Sequence, residues 1–521
     1  MNPSVRVRDS GAEHFGRTQS LQAEVVVVGA GISGLTLALR LQQGLSPKDE
    51  STQPLLLAEA SSRVGGCIST QSKDSYRWEE GPNSFTPVPA LLNLIAEVGL
   101  AEHLVLADAK LPRYIYWEKE LLPVPLSPSA AIGSRLLSVG GKLRALRGLL
   151  GFVAPPPGGE ETVRQFFRRQ LGSEVVERLV EPFTSGVYAG DPDQLSALAA
   201  FPRIAGLEER YGSLFAGAVQ ALRSRYRYAT LPRTRHQDSG NSPIQPPPKR
   251  GQLGNLRQGL QQLPEAIAQK LGSALRLGWR AVHLKRDETG YRVGFVIHDS
   301  GAEHTAPEAP EEIHWVAAQQ VVLTLPAYAA ATLLQDLNPQ ASRLLREIPY
   351  PPVAVVALAY PEEALPQPLR GFGHLIPRSQ GLRTLGTIWA SSLFPERAPQ
   401  GYHCLVSFIG GATDAAFACQ KGIPPITALS PDERAQIVHA ELSQILLTRP
   451  VEPIRLGERL WPQAIPQYTL GHRQRIAQLQ ASLADQTPGV WVCANYLDGV
   501  ALGDCVRRAE ALAQQILSVR R

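Results

Sequence analysis

The stretch Glu24–Gly44, EVVVVGAGISGLTLALRLQQG, narrows the possible folds more than any other part of the chain. Four consecutive valines, Val25 to Val28, give an apolar run that ends at a glycine turn. A strand covered on both faces within a parallel sheet needs such a run. Gly29, Gly31 and Gly34 then form GxGxxG, and Leu35, Leu37, Ala38, Leu39 and Leu41 continue as an apolar helix. Gly29 permits the tight turn, Gly31 lets the backbone approach a pyrophosphate, and Gly34 lets helix and strand pack closely. The helix N-terminus offers unpaired N–H groups and a partial positive charge to the phosphates. A second apolar run, Leu55 to Ala58, ends in Glu59, about 25 residues past Gly34 and near the spacing of a ribose-binding acid. The pattern predicts a dinucleotide-binding α/β domain. The competing reading is a glycine-rich turn in an ordinary α/β fold.

A chain of 521 residues holds two or three domains, or one nucleotide domain with insertions. Its net charge of +5 is small for that length and gives no reason to expect a nucleic-acid partner. Cys67, Cys404, Cys419, Cys493 and Cys505 form no CxxC pair and no metal spacing, so reduced thiols and no metal are expected. No apolar run approaches the roughly 20 residues that a membrane-spanning helix needs. Residues 1–22 are polar, contain Asp9 and Glu13, and read as a disordered leader. Residues 230–250, rich in Pro, Ser and charge, read as a flexible insert.

Other stretches carry candidate chemistry. Arg63, Gly65 and Gly66 follow Glu59 closely; the twin glycine lets a second loop cross the pyrophosphate, and Arg63 can neutralise it. The turn Gly81-Pro82-Asn83-Ser84, between Trp78 and Phe85, can present backbone N–H groups to a flat ring edge. LPRYIYWEKELLPVPLSP, from Leu111, reads as a hairpin opened by Arg113. Between Ser129 and Phe152 leucines recur at helical spacing, and Arg135, Lys142, Arg144 and Arg147 are the only charges. That segment fits an anionic membrane surface and equally a buried helix hairpin with a cationic outer face. Glu161 to Arg178 reads as one helix. VEPFTSGVYAGDP, with Gly186 and Gly190, reads as a glycine-marked connector. Short β patterns at Val353–Tyr360, Gly371–Pro377, Arg383–Trp389 and His403–Ile409 suggest one antiparallel sheet. The strand Val490–Ala494, the GVALGD turn and a terminal helix repeat the logic of the opening. No Ser/His/Asp or paired-carboxylate arrangement has convincing spacing, and His374 is the one histidine near the proposed slot.

The acid followed by RxGG resembles the FAD-dependent oxidoreductases of the amine oxidase superfamily. With GPNSF, LPRYIYW, EPFTSGVYAGDP, PQYTLGH and NYLDGVALGDC, the chain from Glu24 onward is similar to the protoporphyrinogen oxidase family within it. The resemblance implies an FAD-binding, Rossmann-like α/β domain, an antiparallel-sheet substrate domain and a mostly helical membrane-facing domain. It sets the FAD domain at residues 23–107, 251–325 and 465–521, the helical domain at 108–229 and the substrate domain at 326–464. It also implies non-covalent FAD, held by Gly29, Ala30, Gly31, Ile32, Ser33, Gly34, Glu59, Ala60, Arg63, Gly65, Gly66, Gly81, Pro82, Asn83, Ser84, Val282, Trp461, Val500, Ala501 and Leu502. On the substrate side it implies Arg113 pairing with a propionate, Leu375 and Phe394 sandwiching a pyrrole ring, and Gly186 and Gly190 lining the pocket. The expected reaction is oxidation of a porphyrinogen by dioxygen, with hydride passing to flavin N5, peroxide released and no protein acid or base required. A homodimer, hand-over of product to a chelatase, and a peripheral seat on a cytoplasmic or plastid membrane complete the expectation. The rivals are a coproporphyrinogen oxidase, an amine or carotenoid oxidase, and a flavin-binding interaction protein without turnover.

Overall fold

The computed structural model describes residues 21–46, 52–212, 214, 216–217, 248–249, 251–288, 290–298 and 312–519. The expected leader at 1–22 lies outside the described residues except for its last two positions, as does all of the 230–250 insert but residues 248 and 249.

The valine run is strand β1, Leu21–Val28, and the helix after GxGxxG is α1, Ile32–Gly44. β1 lies in the middle of its sheet, parallel to β2, Gln53–Glu59, on one side and to Ile313–Leu323 on the other. The order across the sheet is Trp279–Asp287, Gly290–Ile297, Ile313–Leu323, β1, β2, Leu275–Leu277, with Val490–Val492 also pairing with Ile313–Leu323. The run is apolar because both faces are covered. On one side Val25 and Val27 meet α1, the helix Gln262–Leu271 and the C-terminal helix Leu502–Ser518; on the other, Val26 and Val28 meet the helices Ala327–Leu334 and His472–Gln486. Gly34 permits the close approach of α1, because a Cβ there would overlap the Gly29 carbonyl oxygen. Three separate parts of the sequence therefore build one sheet.

The second sheet runs Ile454–Trp461, Val353–Pro361, Tyr402–Gly410, Thr384–Trp389, Gly373–Leu375, Arg113–Trp117, Glu120–Pro123. Two expectations change here. The sheet is mixed rather than wholly antiparallel, because Gly373–Leu375 runs parallel to Arg113–Trp117. The Leu111 hairpin, assigned by sequence to the helical part, forms the edge of this sheet instead.

The helical part departs from expectation in two more places. The single helix expected over 161–178 breaks at Gly172, whose φ of +94° no helix accommodates. The connector expected around Gly186 is a helix, Glu181–Tyr188, continuous with a wide turn at Val176–Val180. Pro182 directly follows this wide turn, near the start of the helix. The basic segment forms two helices, Pro128–Gly133 and Val139–Leu149, that are not buried. Val139, Leu143, Leu146 and Leu150 make one stripe, exposed by 74%, 58%, 52% and 48%. Gly148 faces inward against the Gln170 carbonyl, and Arg144 turns in to donate to the Arg169 carbonyl at 2.6 Å. No helix among the described residues is long and apolar enough to cross a membrane.

Candidate functional site

The C-terminal ends of β1 and β2 bring together the glycine turn and Glu59, the residues expected from the sequence to meet phosphate and ribose. Glu59 closes β2, and one of its oxygens accepts the Ala30 N–H at 2.7 Å; the other accepts the Ser61 N–H at 3.0 Å and hydroxyl at 2.7 Å. A carboxylate has about four acceptor positions, so one remains for a ligand hydroxyl. The next residue, Ala60, is exposed. The loop after β2 crosses the first turn: Gly65 donates to the Ala30 carbonyl at 2.8 Å and pairs with Gly31. Arg63 holds that loop by donating to the Val64, Gly66 and Ile68 carbonyls at 3.2, 2.7 and 3.0 Å. It makes no ion pair with a described carboxylate, while burial and the neighbouring Arg459 press its pKa below the ordinary arginine value.

Two helix N-termini face this place without a side-chain cap. The N-cap of α1 is Gly31 and that of Leu502–Ser518 is Ala501, and neither makes a side-chain capping bond. Uncapped ends leave orphan N–H groups that need water or a ligand. The two helices pack side by side, and Ser33 on the first bonds Cys505 on the second, so Ser33 and Ile32 are buried supports. Space above Gly31 is the direct test of fit. A Cβ added there meets nothing within 4 Å, and its φ of −71° suits any residue. Nothing in the protein requires a glycine at 31, whereas a pyrophosphate lying against the backbone does. The residues present therefore fit a dinucleotide.

The remaining cofactor candidates lie on several separate elements. The Gly81–Ser84 turn is pinned from behind, since Asn255 donates to the Asn83 carbonyl at 2.8 Å and Phe85 exchanges backbone bonds with Gly254. Trp461 donates to the Glu80 carbonyl at 2.7 Å, with Arg459 stacked on its ring at 4.2 Å. Val282 sits at a bulge where the register jumps from Ala281 to His283, so it has no partner in the ladder. Val500 and Ala501 lead into Leu502 at the second uncapped helix.

On the second sheet, Arg113, Ile115 and Leu375 share one face. Gly373 pairs with Arg113 and Leu375 with Ile115, and Leu375 joins the cluster of Ile115, Trp117, Leu122 and Leu136. A Cβ at Gly186 would run into Leu375, so the helix Glu181–Tyr188 crosses above it. Phe394 belongs to a separate cluster with Ala107, Leu393 and Phe372. Arg113 bridges the two groups, its guanidinium 5.4 Å from the centre of the Phe372 ring. Gly190 does not join them. It is buried against Leu195 and Gln467, 2.6 and 2.8 Å from where its Cβ would be, and its role is close packing. His374 points to the opposite face, where its Nδ1 accepts from Trp389 Nε1 at 3.2 Å. Burial lowers its pKa to about 3, so it stays neutral and away from the slot.

Sequence reasoning missed two carboxylates whose partners lie far along the chain. Buried Glu79 meets Arg397 at 3.2 Å and accepts from Asn255 and the Leu260 N–H, and Glu80 meets Arg459 at 3.2 Å. Desolvation raises the pKa of Glu79 despite the arginine beside it. The doublet WEEG was a visible signal, but its partners lie far away in sequence.

Comparisons with known proteins agree with this geometry. The chain is 41% identical over 507 residues to a chloroplastic protoporphyrinogen oxidase of Oryza sativa subsp. japonica, covering 95% of this chain and 88% of that one. It is 31% identical over 508 residues to the coproporphyrinogen III oxidase of Bacillus subtilis (strain 168), covering 95% and 98%. A crystal structure from Exiguobacterium sp. 255-15, provisionally assigned as a protoporphyrinogen oxidase, superposes with a TM-score of 0.73 at 25% identity, covering 96% of this chain and 99% of that one. The family model for flavin containing amine oxidoreductases matches residues 32–517. The nucleotide-binding sheet, the uncapped helix ends and this match lead to one statement: the chain belongs to the family of flavin containing amine oxidoreductases.

Proposed function

We propose that this protein oxidises protoporphyrinogen IX to protoporphyrin IX with FAD as cofactor and dioxygen as final acceptor. Each of three rounds takes a hydride from a methylene bridge and a proton from a pyrrole N–H, and reduces one dioxygen to hydrogen peroxide; tautomerisation moves a proton from the fourth bridge to nitrogen, so that four bridge hydrogens and two N–H protons are lost in all. FAD supplies the two-electron acceptor when bound. The chain's own residues do the rest. Arg113 binds a propionate, Leu375 and Phe394 hold the macrocycle between apolar clusters, and Gly186 keeps a helix close over Leu375 without crowding it. The growing aromaticity of the product drives proton loss, so no side chain needs to act as base.

One observation carries the choice of substrate. Among the arginines beside the Arg113–Trp117 strand, Arg135 pairs with Glu120, Arg178 with Glu174 and Arg370 with Asp108, while Arg113 pairs with no described carboxylate. A single uncommitted guanidinium suits a substrate with two propionates, one held and one left in solvent. A tetracarboxylate would demand more cations. The test is anaerobic: protoporphyrinogen is expected to bleach the bound flavin at least ten times faster than coproporphyrinogen at equal concentration. Faster bleaching by the tetracarboxylate would overturn the assignment.

The same reading seats the protein on a membrane by the stripe Val139, Leu143, Leu146 and Leu150, with Lys142 and Arg147 beside it. Exposed apolar area of this kind is rare on a soluble surface. Arg144 does not contribute, because its guanidinium is turned inward. A Leu143→Glu, Leu146→Glu double variant is expected to bind anionic vesicles at least tenfold more weakly while its melting temperature stays put. Equal co-sedimentation of variant and parent would rule out this face.

A further inference from the structure

The segment PQYTLGH has no role in the site as described, yet it touches both the helical part and the flavin-binding part. Ala494, Asn495 and Tyr496 begin the loop that leads from the strand Val490–Val492 to the uncapped helix at Leu502. Their three successive backbone carbonyls are each gripped by a different side chain. Arg508 Nη1 donates to Ala494 at 2.8 Å, the Tyr468 hydroxyl to Asn495, and His472 Nε2 to Tyr496 at 2.9 Å. A carbonyl only accepts, so His472 carries its proton on Nε2, and burial keeps the ring neutral by lowering its pKa to about 4. The Tyr468 and His472 rings stack at 4.3 Å and 17°, so two of the three grips come from one stacked pair. Arg508 adds an ion pair to Asp498, further along the same loop.

The other side of this segment is bound to the helical part. Tyr468 accepts the Ser196 N–H at 2.8 Å, Leu470 donates to the Gln194 carbonyl at 3.2 Å, and Gly471 donates to the Glu160 carboxylate at 2.6 Å. Glu160 also accepts the Ser196 hydroxyl, and Gln467 donates to the Tyr188 carbonyl at 2.8 Å, at the end of the helix that lies over Leu375. One short stretch thus connects the helix above the substrate slot to three consecutive peptide groups ahead of the second helix N-terminus.

We infer that Tyr468, His472 and Arg508 are positioning residues that aim the 497–502 loop and its helix N-terminus at the flavin, and that Glu160 and Gln467 couple this aim to the helices over the substrate slot. Ordinary loop packing does not explain three side chains from two helices and a turn converging on three adjacent carbonyls. With these oxygens turned away, the following N–H groups and the positive end of the helix face the cofactor edge on which negative charge builds during reduction. The inference rests on the flavin-site reading, in which Val500 to Leu502 contact the cofactor.

Tyr468→Phe removes one donor and keeps the ring stack. FAD titration of the apoprotein is expected to show roughly 5- to 20-fold weaker binding, the scale of one lost hydrogen bond to an ordered loop. The midpoint potential of the bound flavin should move to a more negative value, and the 495–502 amides should exchange faster by mass spectrometry. Glu160→Gln, which does not touch the loop, should reproduce the potential shift in part. If Tyr468→Phe folds too poorly to purify, Arg508→Lys takes its place with the same three readouts. Unchanged FAD affinity, potential and exchange in whichever variant is purified would overturn the inference. Ala501→Glu separates this failure from failure of the site reading: it should abolish FAD binding if the loop faces the cofactor, and full binding by that variant would show that the loop itself was misplaced.

Discussion

A Gly31→Val variant is expected to fold normally and to purify without flavin. The expectation rests on a contrast between two glycines of one motif. At Gly34 a Cβ would overlap the Gly29 carbonyl, so any side chain pushes α1 off β1. Overpacking of that kind costs about 1–3 kcal/mol, and Gly34→Ala would lose stability and cofactor together. At Gly31 the added group meets no protein atom within 4 Å, and the backbone is extended with φ −71°. A larger residue at such a position changes apoprotein stability by no more than about 0.5 kcal/mol. Its isopropyl group would instead fill the volume beside the twin glycines Gly65 and Gly66, whose loop passes within van der Waals reach of Gly31. A pyrophosphate could no longer approach the N–H groups of α1, and the loss of several charge-assisted bonds of about 1.5–3 kcal/mol each would exceed a hundredfold in affinity. The measurements are the ratio of flavin to protein absorbance and the melting temperature of the apoprotein. A yellow, fully loaded Gly31→Val protein would show that the first turn does not hold the phosphates.

How much of this was legible in the sequence follows from the range of the interactions involved. β1, α1 and Glu59 are specified within 40 residues by an apolar run, three glycines and an acid, so local pattern was enough. The return of the chain through Val490–Ala494 was legible for the same reason: it is a short apolar run beside a turn. The hairpin at Arg113 was read correctly as a hairpin, but its sheet was not, because nothing local states that Ile115 will pair with Leu375. The helix over 181–188 was missed because Gly186 and Gly190 read as marks of a connector; Gly186 lies inside the helix, where Leu375 leaves no room for a Cβ. The exposed stripe on Val139–Leu149 could not be told from a buried one, since periodicity gives a face and not its neighbour. Gly190 was expected as pocket lining and lies packed against Leu195 and Gln467, which no local pattern announces, for a glycine has no side chain to say which neighbour it faces. The Glu79–Arg397 pair and the grips on residues 494–496 join segments hundreds of residues apart, or within a loop of irregular backbone, and no periodicity reports them.

Arg113→Ala is expected to raise KM for the porphyrinogen by roughly 10- to 100-fold, the worth of one charge-assisted bond to a carboxylate of about 1.5–3 kcal/mol, with little change in kcat. The residue lies on the second sheet and makes its one described side-chain contact with Phe372, so flavin content should not fall. Loss of that cation–π contact removes roughly 0.5–1 kcal/mol of stability, too little to unfold the sheet edge. Because the propionate is remote from the reacting bridge, its binding is equal in ground and transition states, and such uniform binding appears in KM alone. Arg113→Lys should recover only part of the loss, since a single ammonium cannot match the paired geometry of guanidinium and carboxylate. The decisive comparison esterifies the substrate. Methyl esters of the two propionates should weaken binding to the parent protein by the same factor as the mutation, and should weaken binding to Arg113→Ala no further, because both changes remove one and the same pair. If ester and mutation instead multiply, the guanidinium and the propionate act independently, and another residue holds the acid.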